Sequence, residues 1–227
     1  MRPVPENVVR SYSRSASDSF WCGKLQPRLY SAIRSQIFNG DVLLFRRPGL
    51  IARAGRGHYS HAAMAGWWDL ELMCLEMREW VGGRAVTLSS QVRKYSGCID
   101  VYRPNCSLQT AETAFRLMRQ KTGNPYNYLG ILQASLLHLV GIRLIARIDA
   151  NDDDDRRATV GDLPEFCSQA ISSSYGQAGL DPVRNMPHSR TEPNNLAQST
   201  WAKPLWTLLA DPSQPSPAPP APQLRAA

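Results

Sequence analysis

Residues 58–77 read HYSHAAMAGWWDLELMCLEM, with small and apolar side chains alternating on both sides of a Trp-Asp break. Alternation of period two is the mark of strands, and the pattern predicts one over Ser60–Gly66 and a second over Glu71–Met77. It puts His61, Ala63 and Ala65 on one face of the first strand, and Leu72, Cys74 and Glu76 on one face of the second. Glu76 is the odd member, because a carboxylate on an apolar strand face is costly without a partner. A hairpin symmetric about Trp68-Asp69 would oppose Ala65 to Leu72, Ala63 to Cys74 and His61 to Glu76. Opposed side chains stand about 4.5–5.5 Å apart at Cβ, so a carboxylate there can hold an imidazole.

Upstream, Asn39-Gly40 signals a turn, and Asp41–Phe45 is a short continuous apolar run, as expected of a strand covered on both faces. Arg46–Gly57 reads as a Gly/Arg/Pro loop. Downstream, Cys98–Arg103 is a further strand candidate. Helical spacing follows over Leu108–Lys121, with Ala111, Ala114, Phe115 and Met118 as its apolar stripe. Leu129–Ile148 has about the length of a membrane span, but Arg143 and Arg147 are expensive in a bilayer, so a packed helix is the expectation. The aspartate run within 151–157 reads as a solvated loop without calcium-loop spacing. Asp162-Leu-Pro-Glu165 carries helix-start signals, with Asp162 as N-cap of a helix continuing through Phe166, Cys167, Ala170, Ile171 and Tyr175. Strands cluster instead of alternating with helices, which argues α+β with a mainly antiparallel sheet packed on helices. The expected organisation is an extension with a helix at 1–38, a domain at 39–200 and a Pro-rich disordered tail at 201–227.

The chain has 227 residues, 43% of them hydrophobic and 20% charged, enough to bury a core. Its 26 Lys and Arg against 19 Asp and Glu give a net charge of +7. The basic residues are scattered, not striped beside aromatics, which argues against a nucleic-acid partner. The N-terminus lacks an apolar signal-peptide core, so the expectation is a cytoplasmic protein or one delivered by a non-standard route, as from a phage. No transmembrane segment is expected, although peripheral membrane contact stays open, as does the oligomeric state. The five cysteines are odd in number and lack a CxxC pair, which argues against a disulfide scaffold or zinc knuckle.

Cys167 is the first candidate for chemistry, since the opening turns of a helix favour a thiolate. The alternative is that it packs in a core with Phe166, Ala170 and Ile171. His61 is the candidate base and Glu76 its orienter, which completes a nucleophile–base–carboxylate set. His188 is an alternative base. His58 and His61 would face opposite sides of an extended segment, a poor arrangement for a metal. Cys74, Cys98 and Cys106 read as small core residues. Arg53 and Arg56 either meet an anion or lie in a solvated loop. No phosphate-binding loop, dinucleotide fingerprint or serine-nucleophile elbow is present, and no cofactor is expected.

Gly40-Asp-Val-Leu-Leu44, Tyr59-Ser-His61, Cys74-Leu-Glu76-Met77, Val101-Tyr-Arg103, Pro125-Tyr126-Asn-Tyr128 and Phe166-Cys167-Ser168 follow one another in that order. The series resembles the circularly permuted, YiiX/YebB-like branch of the NlpC-type papain-like cysteine hydrolases, in which the histidine strand precedes the cysteine helix. The resemblance spans about Gly40 to Leu196. It implies a papain-like fold, Cys167 as nucleophile, His61 as general base, Glu76 as the residue orienting it, and Tyr126 near the substrate. Asn127 stands where that family commonly has Asp, and Gln169-Ala170 follow Ser168 where Glu and a larger apolar residue are usual. The implied activity is hydrolysis of an amide or peptide bond, with cell-wall peptides among the substrates. A thiol acyltransferase or lipid-acyl hydrolase on the same fold, and a non-catalytic binding or structural module, are the alternatives.

Overall fold

The computed structural model describes residues 25–47, 58–126 and 165–211. Arg53, Arg56, Asn127, Leu129–Ile148, the aspartate run and Asp162–Pro164 lie outside them, so the expectations for those residues rest on sequence alone. The chain order is β1 (Pro27–Leu29), α1 (Tyr30–Ile33), a 3₁₀ turn (Arg34–Gln36), β2 (Val42–Arg46), β3 (Tyr59–Trp68), β4 (Glu71–Arg78) and β5 (Gly82–Thr87). Then come α2 (Leu88–Lys94), β6 (Cys98–Pro104), α3 (Leu108–Gln120), α4 (Cys167–Gln177), a 3₁₀ turn (His188–Arg190), α5 (Pro193–Gln198) and β7 (Ala202–Leu209). The strands form one seven-stranded sheet in the order β1-β7-β6-β2-β3-β4-β5, antiparallel except where β1 meets β7. This is the mixed α+β, mainly antiparallel architecture expected from the clustering of strands.

The central strand β2 is buried along its whole length. Val42 and Leu44 join a core under α3 and α4 that includes Met64, Leu75, Phe115, Ile171 and Tyr175. Leu43 and Phe45 point the other way, into a second core with Ala63, Ala65, Leu72, Ile99 and residues of α1 and α2. Two covered faces explain why the sequence here is a continuous apolar run. Helix α3 starts at Ser107, whose Oγ accepts the Thr110 N–H at 3.0 Å, and buries Ala114, Phe115 and Met118.

Both expected domain boundaries are exceeded by the sheet. Pro27–Leu29 is a strand, so the segment before residue 39 contributes to the sheet, and among its described residues the helix expected in that extension is confined to Tyr30–Ile33 and the 3₁₀ turn. Ala202–Leu209, placed by its neighbouring prolines in a disordered tail, is a strand hydrogen-bonded between β1 and β6. The reason is local: Leu205, Trp206, Leu208 and Leu209 bring apolar side chains to the sheet, and the proline-dense stretch begins only after them. β5 was not anticipated, because Gly82-Gly83-Arg84 carries little strand propensity. Gly83 is needed for another reason. The Gly83 and Gly123 amides bond to the Asn124 and Gly83 carbonyls at 2.8 and 2.7 Å, and a Cβ on Gly83 would lie 1.9 Å from the Lys121 carbonyl oxygen.

The β3–β4 hairpin turns at Asp69-Leu70, with Trp68 opposite Glu71 and Met64 opposite Leu75. The turn lies one residue beyond the expected centre, which shifts every pairing by two residues, so His61 is not directly opposed to Glu76. Asp69 takes a left-handed conformation, φ 56°, which Asp tolerates better than most residues, and this places the turn there. Cys98 is disulfide-bonded, against the expectation of a free core residue. Among the described residues, Cys74, Cys106 and Cys167 are free thiols. No described helix is long and apolar enough to cross a membrane.

One buried polar network ties four adjacent strands together. Asp100 on β6 takes the Arg46 guanidinium at 2.7 Å, the Thr207 hydroxyl at 2.6 Å and the Tyr59 hydroxyl at 2.7 Å. Neither Arg46 nor Asp100 has more than 2% of its side chain exposed. Removing one partner of such a pair strands the other charge in the core. Asp100→Ala is therefore expected to lower unfolding free energy by about 3–5 kcal/mol. Urea denaturation followed by circular dichroism measures it, and a loss below about 1 kcal/mol would contradict the burial argument.

Candidate active site

Cys167 is the first residue of α4. Phe166 precedes it as N-cap, its carbonyl accepting the Ala170 N–H at 2.9 Å and its own N–H directed at Gln169 Oε1 at 3.5 Å. The helix therefore begins later than its sequence signals suggested, five residues past Asp162. The shift concentrates the unpaired amides and positive end of the helix dipole on Cys167 itself. Behind the site, Lys121 Nζ meets Glu165 Oε2 at 2.5 Å, and the Ser173 hydroxyl donates to Oε1 at 2.6 Å. Tyr126, expected near the substrate, is buried and pairs its backbone in parallel with Glu165. Its demonstrated contribution is to the path of the chain leading into α4.

Sheet geometry makes room for the sulfur. Ala65 donates its N–H to Asp41 on the β2 side at 2.7 Å, so the even-numbered amides of β3 point to β4. Pairing with β4 ends at Met64–Leu75. The Ala62 amide thus projects past the end of the ladder, and there it hydrogen-bonds the Cys167 sulfur, which also receives the Ser168 N–H. On β3's other side an extra residue sits between the pairs Phe45–His61 and Arg46–Tyr59, a bulge at Ser60 beside the site.

His61 lies diagonally across the opened end of the hairpin from Glu76, and its Nε2 is 2.5 Å from Glu76 Oε2. It is also hydrogen-bonded to Cys167, and with Nε2 occupied that bond falls to Nδ1. The Phe45 ring packs against the imidazole at 5.1 Å between centroids. Glu76 has no exposed side-chain surface. Its Oε1 accepts Arg84 Nε at 2.8 Å, a second Arg84 nitrogen, and Gln91 Nε2 at 2.8 Å. One carboxylate oxygen is thus taken up by β5 and α2, and the other is left to the imidazole.

The charges follow from these contacts. Burial by itself would raise the Glu76 pKa, but the His61 and Arg84 bonds outweigh it and hold the carboxyl down at about 2. Burial would depress His61, but the adjacent sulfur and carboxylate push it up to about 10. Burial would raise the Cys167 thiol, yet His61 and the two amides bring it below its ordinary value. These directions favour the thiolate–imidazolium form over a thiol beside a neutral imidazole, with an ionised carboxylate behind it. Cys74, buried beside Glu76 with no imidazole, moves the opposite way, its thiol pKa raised by burial first and then by the carboxylate.

Cys167, His61 and Glu76, chosen from sequence, are therefore brought together in line. His188 is not: its Nδ1 lies 2.7 Å from Ser172 Oγ, further along α4. Arg84, Gln91 and the Ala62 amide were missed. Arg84 is directly opposite Glu76 in the β4–β5 pairing, a relation visible only once β5 is recognised as a strand. Ser168 Oγ is fully buried and has no hydrogen-bond partner among the described residues.

No family model and no curated protein matches the chain. Among solved structures it is similar to the metalloprotein YiiX from Escherichia coli O157:H7, a DUF1105 protein, with 13% identity and a TM-score of 0.52, covering 75% of this chain and 99% of that one. At this identity the likeness is one of fold. The chain has a YiiX-like fold.

Alkylation of Cys167 by iodoacetamide is expected to rise at a pH below the ordinary thiol value of about 8.5 and then stay level. A second rise is due near 10, where His61 loses its proton. His61→Ala should replace both with one rise shifted upward, and Glu76→Gln should move the upper step down, since the carboxylate helps keep the imidazole protonated. Mass spectrometry of the Cys167 peptide reads each profile. An unshifted thiol titration unaffected by His61→Ala would contradict the ion pair.

Proposed function

We propose that this protein is a cysteine-nucleophile hydrolase of amide or peptide bonds, built on a circularly permuted papain-like arrangement of the NlpC type. The observation carrying the proposal is the continuous line from the Cys167 sulfur through His61 to buried Glu76, with the cysteine at the first position of a helix. The motif order, with the histidine strand before the cysteine helix, supports the permuted reading, as does the YiiX-like fold.

In the proposed reaction the thiolate adds to the substrate carbonyl carbon, and negative charge moves to the carbonyl oxygen. Amides at the start of α4 would donate to that oxyanion. The tetrahedral adduct collapses, the C–N bond breaks, and the imidazolium of His61 gives its proton to the leaving amine. This leaves a thioester on Cys167. Neutral His61 then takes a proton from water, whose oxygen attacks the thioester; the acid departs and the thiolate returns paired with imidazolium. Glu76 holds the ring orientation through both steps and stays ionised.

The structural neighbour is named a metalloprotein, which raises the question of a metal here. Among the described residues no group of three His, Cys, Asp or Glu side chains is placed to hold an ion. Cys167, His61 and Glu76 lie in a chain of hydrogen bonds with both imidazole nitrogens occupied, which is a relay and not a converging ligand set. These residues do not fit a metal, and no step passes through one.

Peptides and N-acyl amides, including cell-wall stem peptides, are the substrates to screen. On any that is turned over, Cys167→Ala should abolish hydrolysis, and His61→Ala should lower kcat about 10²–10⁴-fold. Denaturing mass spectrometry of quenched reactions should show the acyl group on Cys167. Turnover that survives Cys167→Ala would overturn the proposal.

A further inference from the structure

The rim of the site carries cationic charge that the triad does not use. Strand β3 lies between β2 and β4, so His61 has a neighbouring strand on each side. On β2, Phe45 opposes His61, and Tyr95 packs edge-on against the Phe45 ring at 5.0 Å. Arg47 directly follows β2, two residues beyond Phe45. On β4 the corresponding step leads from Glu76 to Arg78, whose Nη1 is 3.7 Å from Glu76 Oε1 and whose side chain is 49% exposed. Both guanidiniums act electrostatically on the Tyr95 hydroxyl, which is hydrogen-bonded to Ser60. The two arginines thus come from the strands on either side of β3, and the charge of each reaches Tyr95.

Their charge is surplus. The Glu76 carboxylate is already matched by Arg84 and by the His61 imidazolium, both in closer contact than Arg78. Arg47 is exposed and forms no ion pair with a described carboxylate, and Glu79, the acidic neighbour of Arg78 at the hairpin turn, forms none with a described cation. Two planar guanidiniums beside two hydroxyls form a surface suited to the oxygens of an anion.

We propose that Arg47 and Arg78, with the hydroxyls of Tyr95 and Ser60, form a subsite for an anionic group, carboxylate or phosphate, carried by the acyl donor close to its scissile carbonyl. The inference rests on the hydrolase reading, since it names the substrate class of that same site. It makes acidic peptides and other anionic amides the preferred donors, and neutral ones poor.

Two alkylating agents of similar size and different charge separate this from the reading beneath it. Second-order rates for Cys167 are measured in the full-length protein with anionic iodoacetate and neutral iodoacetamide, at pH 7 and low salt. Arg47→Gln and Arg78→Gln are each expected to lower the iodoacetate rate about five- to tenfold while leaving the iodoacetamide rate unchanged, a size set by loss of one charge within a few ångströms of the reagent. The neutral reagent also reports that each exposed-residue variant is folded and its thiol still activated. Arg116→Gln, on α3, should change neither rate. Sodium acetate or inorganic phosphate, compared with chloride at equal ionic strength, should slow iodoacetate in the wild type, and which of them acts more strongly identifies the anion. An activated Cys167 whose rate ratio is unmoved by both arginine variants, or unaffected by either anion, overturns the subsite and leaves the hydrolase reading standing. A Cys167 with ordinary thiol behaviour, indifferent to His61→Ala, overturns both.

Discussion

A carboxylate without exposed surface has to be compensated by the groups around it, and around Glu76 those groups come from three different elements. Taking an isolated charge out of water costs several kcal/mol even after relaxation. Here β3 supplies His61, β5 supplies Arg84 and α2 supplies Gln91. The compensation has a direction as well as a magnitude. Arg84 and Gln91 both use Oε1, so Oε2 has one strong partner, the imidazole, and the imidazole has one place to point. The β4–β5 register and the seating of α2 thereby become conditions on the orientation of His61.

The same economy governs where the Cys167 sulfur sits. Two packed strands leave no space for a sulfur between them, and a free edge would leave the sulfur in water. Ending the β3–β4 ladder at Met64–Leu75 while both strands continue produces an intermediate case. The Ala62 amide needs an acceptor, and the Cys167 sulfur takes the place that a β4 carbonyl would have filled. An unpaired ladder amide is a donor that burial makes expensive to leave idle. That cost favours a sulfur carrying charge over a neutral thiol. The Lys121–Glu165 pair and the Tyr126–Glu165 bridge then hold the incoming chain so that α4 begins at the required residue.

Much of this was legible in the sequence because it rests on periodicity. Two-residue alternation identified β3 and β4 and set His61 and Glu76 on one face, and a continuous apolar run identified β2. The hairpin register was not legible, since Trp68-Asp69 and Asp69-Leu70 are equally plausible breaks until a left-handed Asp69 selects one. The expected pairing of His61 with Glu76 emerged anyway, across a diagonal instead of a rung, because the strands part where the two residues meet. Arg84 was hidden by its setting: Gly82-Gly83 looks like a turn, and only contact with the loop after α3 explains glycine there. β7 was hidden by the prolines that follow it. In each case the deciding partner lies far along the chain, where local propensity carries no information.

Arg84 also bears on which groups exchange protons. A carboxylate touching only an imidazole is a candidate to share the imidazole's proton, and a shared proton blunts both the base and the thiolate. With a guanidinium and an amide on its other oxygen, Glu76 is held at about 2, far below its partners. It stays ionised at any pH where the fold operates. Proton exchange is then confined to Cys167 and His61, whose affinities the geometry has moved toward each other, the thiol down and the imidazole up. Cys74 gives the internal comparison. It is as buried as Cys167 and close to the same carboxylate, but it lacks an imidazole and a helix start, and its thiol is driven upward. Burial is common to both thiols, so the downward shift at Cys167 comes from the imidazolium and the two backbone amides.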